Sequence, residues 1–280
     1  MPDYDHATPS DRRELEAFLD ARLPYAMFAR FNLANHGMDG GHPYACDFWI
    51  ARDGGAICGV IALSEHGVVL PCHHDHAAAA KALAGRSATV VVGPRDLARG
   101  WIEAAGLTQT SCTADHDQPH FLLDLVKLTV PTGPGQIVPI ADATSSVLRA
   151  WFTAYQTEIL NTPMPLAAEH GDFAYEQAMR DTSHVVLIEN GAPLAMTGFN
   201  ARLPSIVQVG GVYTPPDLRG RGYARRALGL HLRQARLQGV TQAVLFSASE
   251  PASRAYRALG FQQIGDWTLV VFDGTVAIHG

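Results

Sequence analysis

The sequence lacks the features of a secreted or membrane-spanning protein. No apolar run approaches the roughly 20 residues that a membrane helix needs. The start, Met1 to Glu16, is polar and acidic, unlike a signal peptide. Cysteine is scarce, with four residues in 280 and no CxxC spacing. We therefore expect a cytoplasmic protein with reduced thiols and no disulfide framework.

A metal site is not expected either. The densest group of possible ligands is the segment from Cys72 to His76. Adjacent side chains diverge, however, and no second cluster completes a tetrahedron around an ion. We interpret this segment as a polar loop.

Positive charge is also in deficit, because 27 acidic residues outnumber 21 basic ones and give a net charge of −6. This balance argues against a whole-surface attraction to nucleic acid or to an anionic membrane. Residues 216–260 reverse it, with eight arginines and only Asp217 and Glu250 as acids. The arginines are Arg219, Arg221, Arg225, Arg226, Arg233, Arg236, Arg254 and Arg257.

The length and a hydrophobic content of 47% suit one large domain or two modest ones. Prolines and glycines at 131–135 break the pattern, which predicts a linker between domains at 1–130 and 136–280. Strand and helix signals follow a similar order on both sides of the linker. We expect an α/β chain, in which each half is a mixed sheet that carries helices.

The most informative segment is Val209 to Ala227, where a strand leads through a Pro-Pro turn and a glycine loop into a long helix. The unpaired N–H groups and the positive dipole end of such a helix favour an anion, most naturally a diphosphate. Gly220 and Gly222 allow close approach of the backbone, and arginines 219, 221 and 225 add charge. A Walker A ending and a third dinucleotide-type glycine are both absent. A tight turn with good packing remains the alternative.

Two motifs resemble the GNAT acetyltransferase superfamily. The segment Arg219 to Ala224 resembles its Arg/Gln-x-x-Gly-x-Gly/Ala signature, and the segment Ser249 to Phe261, with Tyr256 followed by Gly-Phe, resembles its second motif. The resemblance covers about residues 136–273 and implies the acyl-CoA N-acyltransferase fold. The first half lacks both motifs, so we expect a tandem protein whose N-terminal GNAT-like half has lost cofactor binding.

The resemblance also implies a role for each matching residue. The co-substrate is acetyl-CoA. Tyr256 would protonate the departing thiolate, the Val212 N–H would polarise the thioester carbonyl, and Gly210-Gly211 would form a strand bulge. A core tyrosine is the alternative for Tyr256. The implied cofactor-binding residues are Val212, Tyr213, Thr214, Arg219, Gly220, Arg221, Gly222, Tyr223, Ala224, Arg225 and Ser249.

The sequence departs from the family pattern in two ways. Ser249 stands where asparagine is usual, and Gln208 and Gly210 stand where many members carry a glutamate base. Glu158 is the candidate base, with Glu169 and Glu176 behind it, although each also fits a solvated helix position. Arg226, Arg233 and Arg236 are expected on the solvated face of the long helix.

The sequence therefore predicts an acetyl-CoA-dependent N-acetyltransferase that acts by direct transfer to a primary amine of a small molecule or peptide. A non-catalytic acyl-CoA-binding or sensing protein is the alternative, because the usual base is missing. Nucleic acid is a weaker candidate, since no aromatic residues alternate with the arginines. Neither nucleic acid nor a membrane is expected as a partner. The acceptor and the oligomeric state are not predicted.

Overall fold

The computed structural model describes residues 3–38, 40–73, 75–160, 162–164 and 166–280. The chain divides into two compact units, one of residues 1–120 and 265–280 and the other of residues 121–264. The segment predicted as a linker, 131–135, lies within the second unit. The final residues belong to the first unit because the last strand pairs there. No helix among the described residues is long and apolar enough to cross a membrane.

Among the residues that the structure describes, the first unit contains a mixed sheet and four α-helices. Its strands are β1 (Tyr4–His6), β2 (Cys46–Asp53), β3 (Ala56–Ser64), β4 (Val68–His73), β5 (Ser87–Pro94) and the start of β6 (Cys112–Asp124), and its helices are α1 (Arg12–Asp20), α2 (Leu23–His36), α3 (His76–Leu83) and α4 (Arg95–Ala104). β4 and β5 are parallel and joined through α3, whereas β1, β2, β3 and β4 pair antiparallel in that order.

The segment from Cys72 to His76 is not the polar loop that we expected. Cys72 and His73 end β4, Asp75 caps α3, and His76 begins that helix. His74 lies outside the described residues. Within the part of the chain that the structure describes, no group of three or more histidine, cysteine or acidic side chains could hold a metal ion.

The second unit contains the remaining elements. Its strands are β7 (Gln136–Pro139), β8 (His184–Glu189), β9 (Ala192–Arg202), β10 (Ile206–Tyr213), β11 (Gln242–Phe246) and the first residues of β12 (Gln262–Ala277), and its helices are α5 (Ser145–Glu158), α6 (Leu166–Asp181), α7 (Tyr223–Leu237) and α8 (Glu250–Arg257). The strand order is β6-β11-β10-β9-β8-β7. The rest of β12 pairs with β5 in the first unit.

Two apolar layers cover the sheet of the second unit. On one face, Leu228 and Leu232 of α7 pack with Val207 and Val209 of β10. On the other face, Phe152 of α5 packs in a cluster with residues of α6, β8 and β9. Burial of these side chains stabilises the unit by about 1.5–3 kcal/mol for each large residue. The β10 strand is therefore enclosed by helices on both faces.

Local turn chemistry positions the strands as the sequence predicts. Asn190 and Gly191 join β8 to β9 with φ of 50° and 80°, as a two-residue hairpin turn requires.

Arg226 behaves differently from the expected solvated arginine. Its Nε donates to the carbonyl of Pro134 at 2.7 Å and its Nη2 to that of Gly135 at 3.3 Å. Arg226 thus ties the irregular segment 131–135 to α7.

Candidate active site

Strand β10 separates from its parallel neighbour at the point where a ligand could enter. The pairing of β10 with β11 runs from Ile206 opposite Gln242 to Gln208 opposite Val244, whereas β10 continues to Tyr213. On its other edge, β10 shifts register against β9 between Gly210 and Tyr213. Gly211 has φ of +60°. The predicted bulge is confirmed, and beyond it β10 has no ladder partner in β11.

The start of α7 offers backbone donors that no side chain occupies. Gly220 and Gly222 have φ of 76° and 81°, a conformation that glycine adopts without strain. Gly222 is the N-cap of α7, and no side chain caps the helix. The first N–H groups of a helix have no intrahelical acceptor, so those of α7 face outward with the positive dipole end behind them. This geometry suits an anion.

The N-terminus of α3 in the first unit, in contrast, is capped by a side chain. The carboxylate of Asp75 accepts a hydrogen bond from the Ala78 amide at 2.9 Å, and the Asp75 amide itself donates to the Tyr4 hydroxyl at 3.2 Å. A carboxylate already placed on a helix N-terminus repels a second anion there. The first unit therefore has the helix after a parallel strand but not an open anion site.

A cavity of about 680 Å³ opens where β10 has separated from β11. This volume lies in the range of about 300–1,000 Å³ that is typical of ligand pockets. Every residue that the sequence predicts to bind the cofactor lines this cavity, and so does Tyr256. The lining residues are Ile159, Val212, Tyr213, Thr214, Leu218, Arg219, Gly220, Arg221, Gly222, Tyr223, Ala224, Arg225, Ser249, Pro251, Ala252, Ala255 and Tyr256.

Glu158, the predicted base, does not line the cavity. Its carboxylate accepts hydrogen bonds from the Tyr213 hydroxyl at 3.0 Å and from the Arg219 guanidinium. The bond from Arg219 holds the pKa of Glu158 below its usual range. A carboxylate that favours its charged form is a weaker proton acceptor, so these contacts fit a structural role better than a catalytic one.

Arg219 is already engaged in contacts within the protein. Besides Glu158, its Nε donates to the Thr214 carbonyl at 2.9 Å, and its charge is balanced by the carboxylate. Arg221 is exposed and donates to the Asp217 carbonyl at 3.2 Å. Arg225 is also exposed and has no partner among the described residues. Arg221 and Arg225 are therefore better placed than Arg219 to supply charge to a bound anion.

Two hydroxyl groups, those of Thr214 and Ser249, also lie in the cavity wall. The Thr214 hydroxyl is buried and finds no hydrogen-bond partner among the described residues, so a ligand could satisfy it. Ser249 is the N-cap of α8, and its hydroxyl accepts from the Ala252 amide at 3.4 Å. Ser249 thus has a capping role of its own.

Tyr256 lies on α8 between two phenylalanine rings. Its ring centroid is 6.5 Å from that of Phe121 and 6.0 Å from that of Phe261. Burial raises the pKa of its hydroxyl, and Tyr155 of α5 adds to the effect. A phenol kept protonated in this way can donate its proton to a developing thiolate. The sequence reasoning missed Tyr155, whose hydroxyl accepts a hydrogen bond from the Gly211 amide in the bulge.

Comparisons with known proteins agree with this geometry. Residues 148–261 match the family model "Acetyltransferase (GNAT) family". A GCN5-related N-acetyltransferase from Sphaerobacter thermophilus is similar in structure, with 15% identity, a TM-score of 0.58 and coverage of 99% of this chain and 96% of that one. A GNAT-family acetyltransferase from Colwellia psychrerythraea gives 14% identity, a TM-score of 0.54 and coverage of 96% and 99%.

A tandem GNAT protein from the clavulanic acid biosynthesis pathway is similar along 99% of this chain and 98% of its own, with 16% identity and a TM-score of 0.53. No curated protein matches the sequence significantly. At these identities the structural likeness shows the fold, and its coverage is consistent with two GNAT-like halves. The chain is a mixed α/β protein of the GNAT fold, and its residues 148–261 match the model of the acetyltransferase (GNAT) family.

Proposed function

We propose that this protein is an acetyl-CoA-dependent N-acetyltransferase that transfers the acetyl group directly to a primary amine while both substrates are bound. The observation that carries the proposal is the single cavity wall that joins an uncapped helix N-terminus, an unpaired strand edge and Tyr256. These three elements match the three parts of the co-substrate, which are its diphosphate, its pantetheine arm and its thioester.

Each part of the wall has a task in this proposal. The α7 amides and the side chains of Arg221 and Arg225 hold the diphosphate. The backbone of Val212 to Thr214 pairs with the pantetheine arm as an added strand does. The Val212 N–H stabilises the negative charge that develops on the thioester oxygen. Tyr256 protonates the thiolate that leaves.

The first test is a calorimetric titration of the full chain with acetyl-CoA. We expect one molecule bound per chain, because α7 has open amides while Asp75 occupies the start of α3. Binding of two molecules would show that the first unit also holds the co-substrate. If acetyl-CoA does not bind at all, the proposed function fails.

A further inference from the structure

The orientation of the co-substrate determines where its acyl group lies. In the proposed function the diphosphate binds at the start of α7, and the pantetheine arm runs along β10 from Thr214 back to Val212. The thioester then lies at Val212, which lines the cavity. The strand residue that precedes Val212 is Gly211, in the bulge. An acyl chain longer than acetyl therefore extends toward Gly211.

The hydroxyl of Tyr155 occupies this part of the bulge. It accepts a hydrogen bond from the amide of Gly211, whose φ is +60°. The pairing of β10 with β11 ends before this point, at Gln208, so β11 does not provide an acceptor for that amide. A backbone N–H group without an acceptor would be open to a ligand. Tyr155 thus takes a place on β10 that a bound molecule could otherwise use.

Tyr155 reaches the bulge from the side of the sheet that α5 covers. Its side chain packs with the apolar layer of α5 and α6, whereas Tyr256 packs with the layer under α7. Burial raises the pKa of the Tyr256 hydroxyl, and the nearby Tyr155 raises it further. The two phenols are therefore neighbours, and they approach the same end of the cavity from opposite faces of the sheet, where β10 has separated from β11.

The neighbours of Tyr155 form the wall at this end of the cavity. The amide of Ile159 donates to the carbonyl of Tyr155 at 3.0 Å, so Ile159 follows one helical turn later on the same face of α5. Ile159 lines the cavity together with Val212 and Tyr256. Tyr155 does not line it, and lies behind these three residues. Its ring therefore fills the space into which the cavity would otherwise extend.

We propose that Tyr155 limits the size of the acyl group, so that acetyl-CoA binds in preference to thioesters with longer acyl chains. The inference rests on the proposed acetyltransferase function, which places the thioester at Val212. An acetyl group ends within the cavity, beside Val212 and Tyr256. Each further methylene must enter the space that the ring of Tyr155 fills, and a close-packed interior makes room only at a cost in free energy.

The test measures the dissociation constants of acetyl-CoA, propionyl-CoA and butyryl-CoA for the full chain by calorimetry, which needs no amine. We expect the wild type to bind butyryl-CoA about tenfold or more weakly than acetyl-CoA, the size of effect that an extra methylene has in a closed pocket. In Tyr155→Ala the ring is absent, and the two constants should agree within about threefold. Tyr155→Leu keeps an apolar side chain in the layer of α5 and should lie between these values.

Two controls separate the volume of the ring from the other effects of its removal. Tyr155→Phe keeps the ring and loses the hydrogen bond to Gly211, so the ratio of the two dissociation constants should stay near the wild-type value. Tyr175→Ala removes the same side chain from α6, where it packs on Phe152 at 5.7 Å between ring centroids. This variant should also keep the wild-type ratio, because Tyr175 lies outside the cavity wall.

Three results would overturn the role of Tyr155. They are equal affinity of the wild type for butyryl-CoA and acetyl-CoA, a wild-type ratio in Tyr155→Leu, and a ratio in Tyr155→Phe as low as that in Tyr155→Ala. The first of these needs no variant, so it decides the matter even where a substituted chain does not fold. If acetyl-CoA binds but is transferred to no amine, the proposed function fails, while the dissociation constants still judge Tyr155. If no acyl-CoA binds, both fail.

Discussion

Tyr256→Phe is expected to lower kcat by about 100-fold or more while acetyl-CoA still binds. The substitution removes one oxygen atom and keeps the ring between Phe121 and Phe261. Without the phenolic proton the thiolate must leave as an anion inside a buried wall, which raises the barrier to carbon–sulfur cleavage. The measurement is steady-state thiol release together with a calorimetric titration of acetyl-CoA.

The control is Tyr175→Phe, which makes the same chemical change outside the cavity. Tyr175 is buried on α6 and packs against Phe152 at 5.7 Å between ring centroids. This variant should keep the wild-type kcat. Unchanged turnover in Tyr256→Phe would remove Tyr256 from the mechanism, and a large loss in Tyr155→Phe would then identify the neighbouring phenol as the proton donor.

Ala224→Glu is expected to weaken acetyl-CoA binding by about tenfold or more. Ala224 lies in the first turn of α7 and lines the cavity, so the new carboxylate would occupy the amides that are proposed to hold the diphosphate. It would also place a negative charge beside the phosphates. The dissociation constant from calorimetry measures the effect directly.

Ala224→Gln separates charge from size, because glutamine has nearly the same shape as glutamate and no charge. We expect the glutamine variant to bind much more tightly than the glutamate variant, and the gap to narrow at high salt. Equal dissociation constants for the two variants would place the diphosphate away from the start of α7.

The anion-binding part of the site could be predicted from sequence because its signals are local. The glycines at 220 and 222 adopt positive φ, and the glycine pair at 210–211 forms the bulge. Tyr256 lies in the last turn of α8 and lines the cavity. Each of these features depends on residues close together in the chain, and turn and cap chemistry determines them.

The remaining parts of the site depend on residues far apart in sequence. Arg219 meets Glu158 across 61 positions, so the candidate base from the sequence is instead an ion-pair partner. Arg226 binds carbonyls of the segment 131–135, which no helical pattern indicates. Strand register and tertiary ion pairs carry no local signature that a single sequence reveals.

In the first half of the chain, the local sequence also fails to indicate the secondary structure of some segments. The helix α2 (Leu23–His36) has no clear one-sided pattern of apolar residues, and it is kinked at Ala26. The strand β4 ends in Cys72 and His73, which read as polar in sequence. Burial against neighbouring elements, and not local preference, decides the structure of such segments.

The most direct measurement is the release of free thiol from acetyl-CoA by the full chain in the presence of a panel of amines. The panel should include small amines, amino acids, amine-bearing antibiotics and peptides with free N-termini. We predict that at least one amine accelerates thiol release well above the rate without amine, and that an equal amount of acetylated product forms. Tight binding of acetyl-CoA with no amine-dependent thiol release would contradict catalysis and favour a sensing protein.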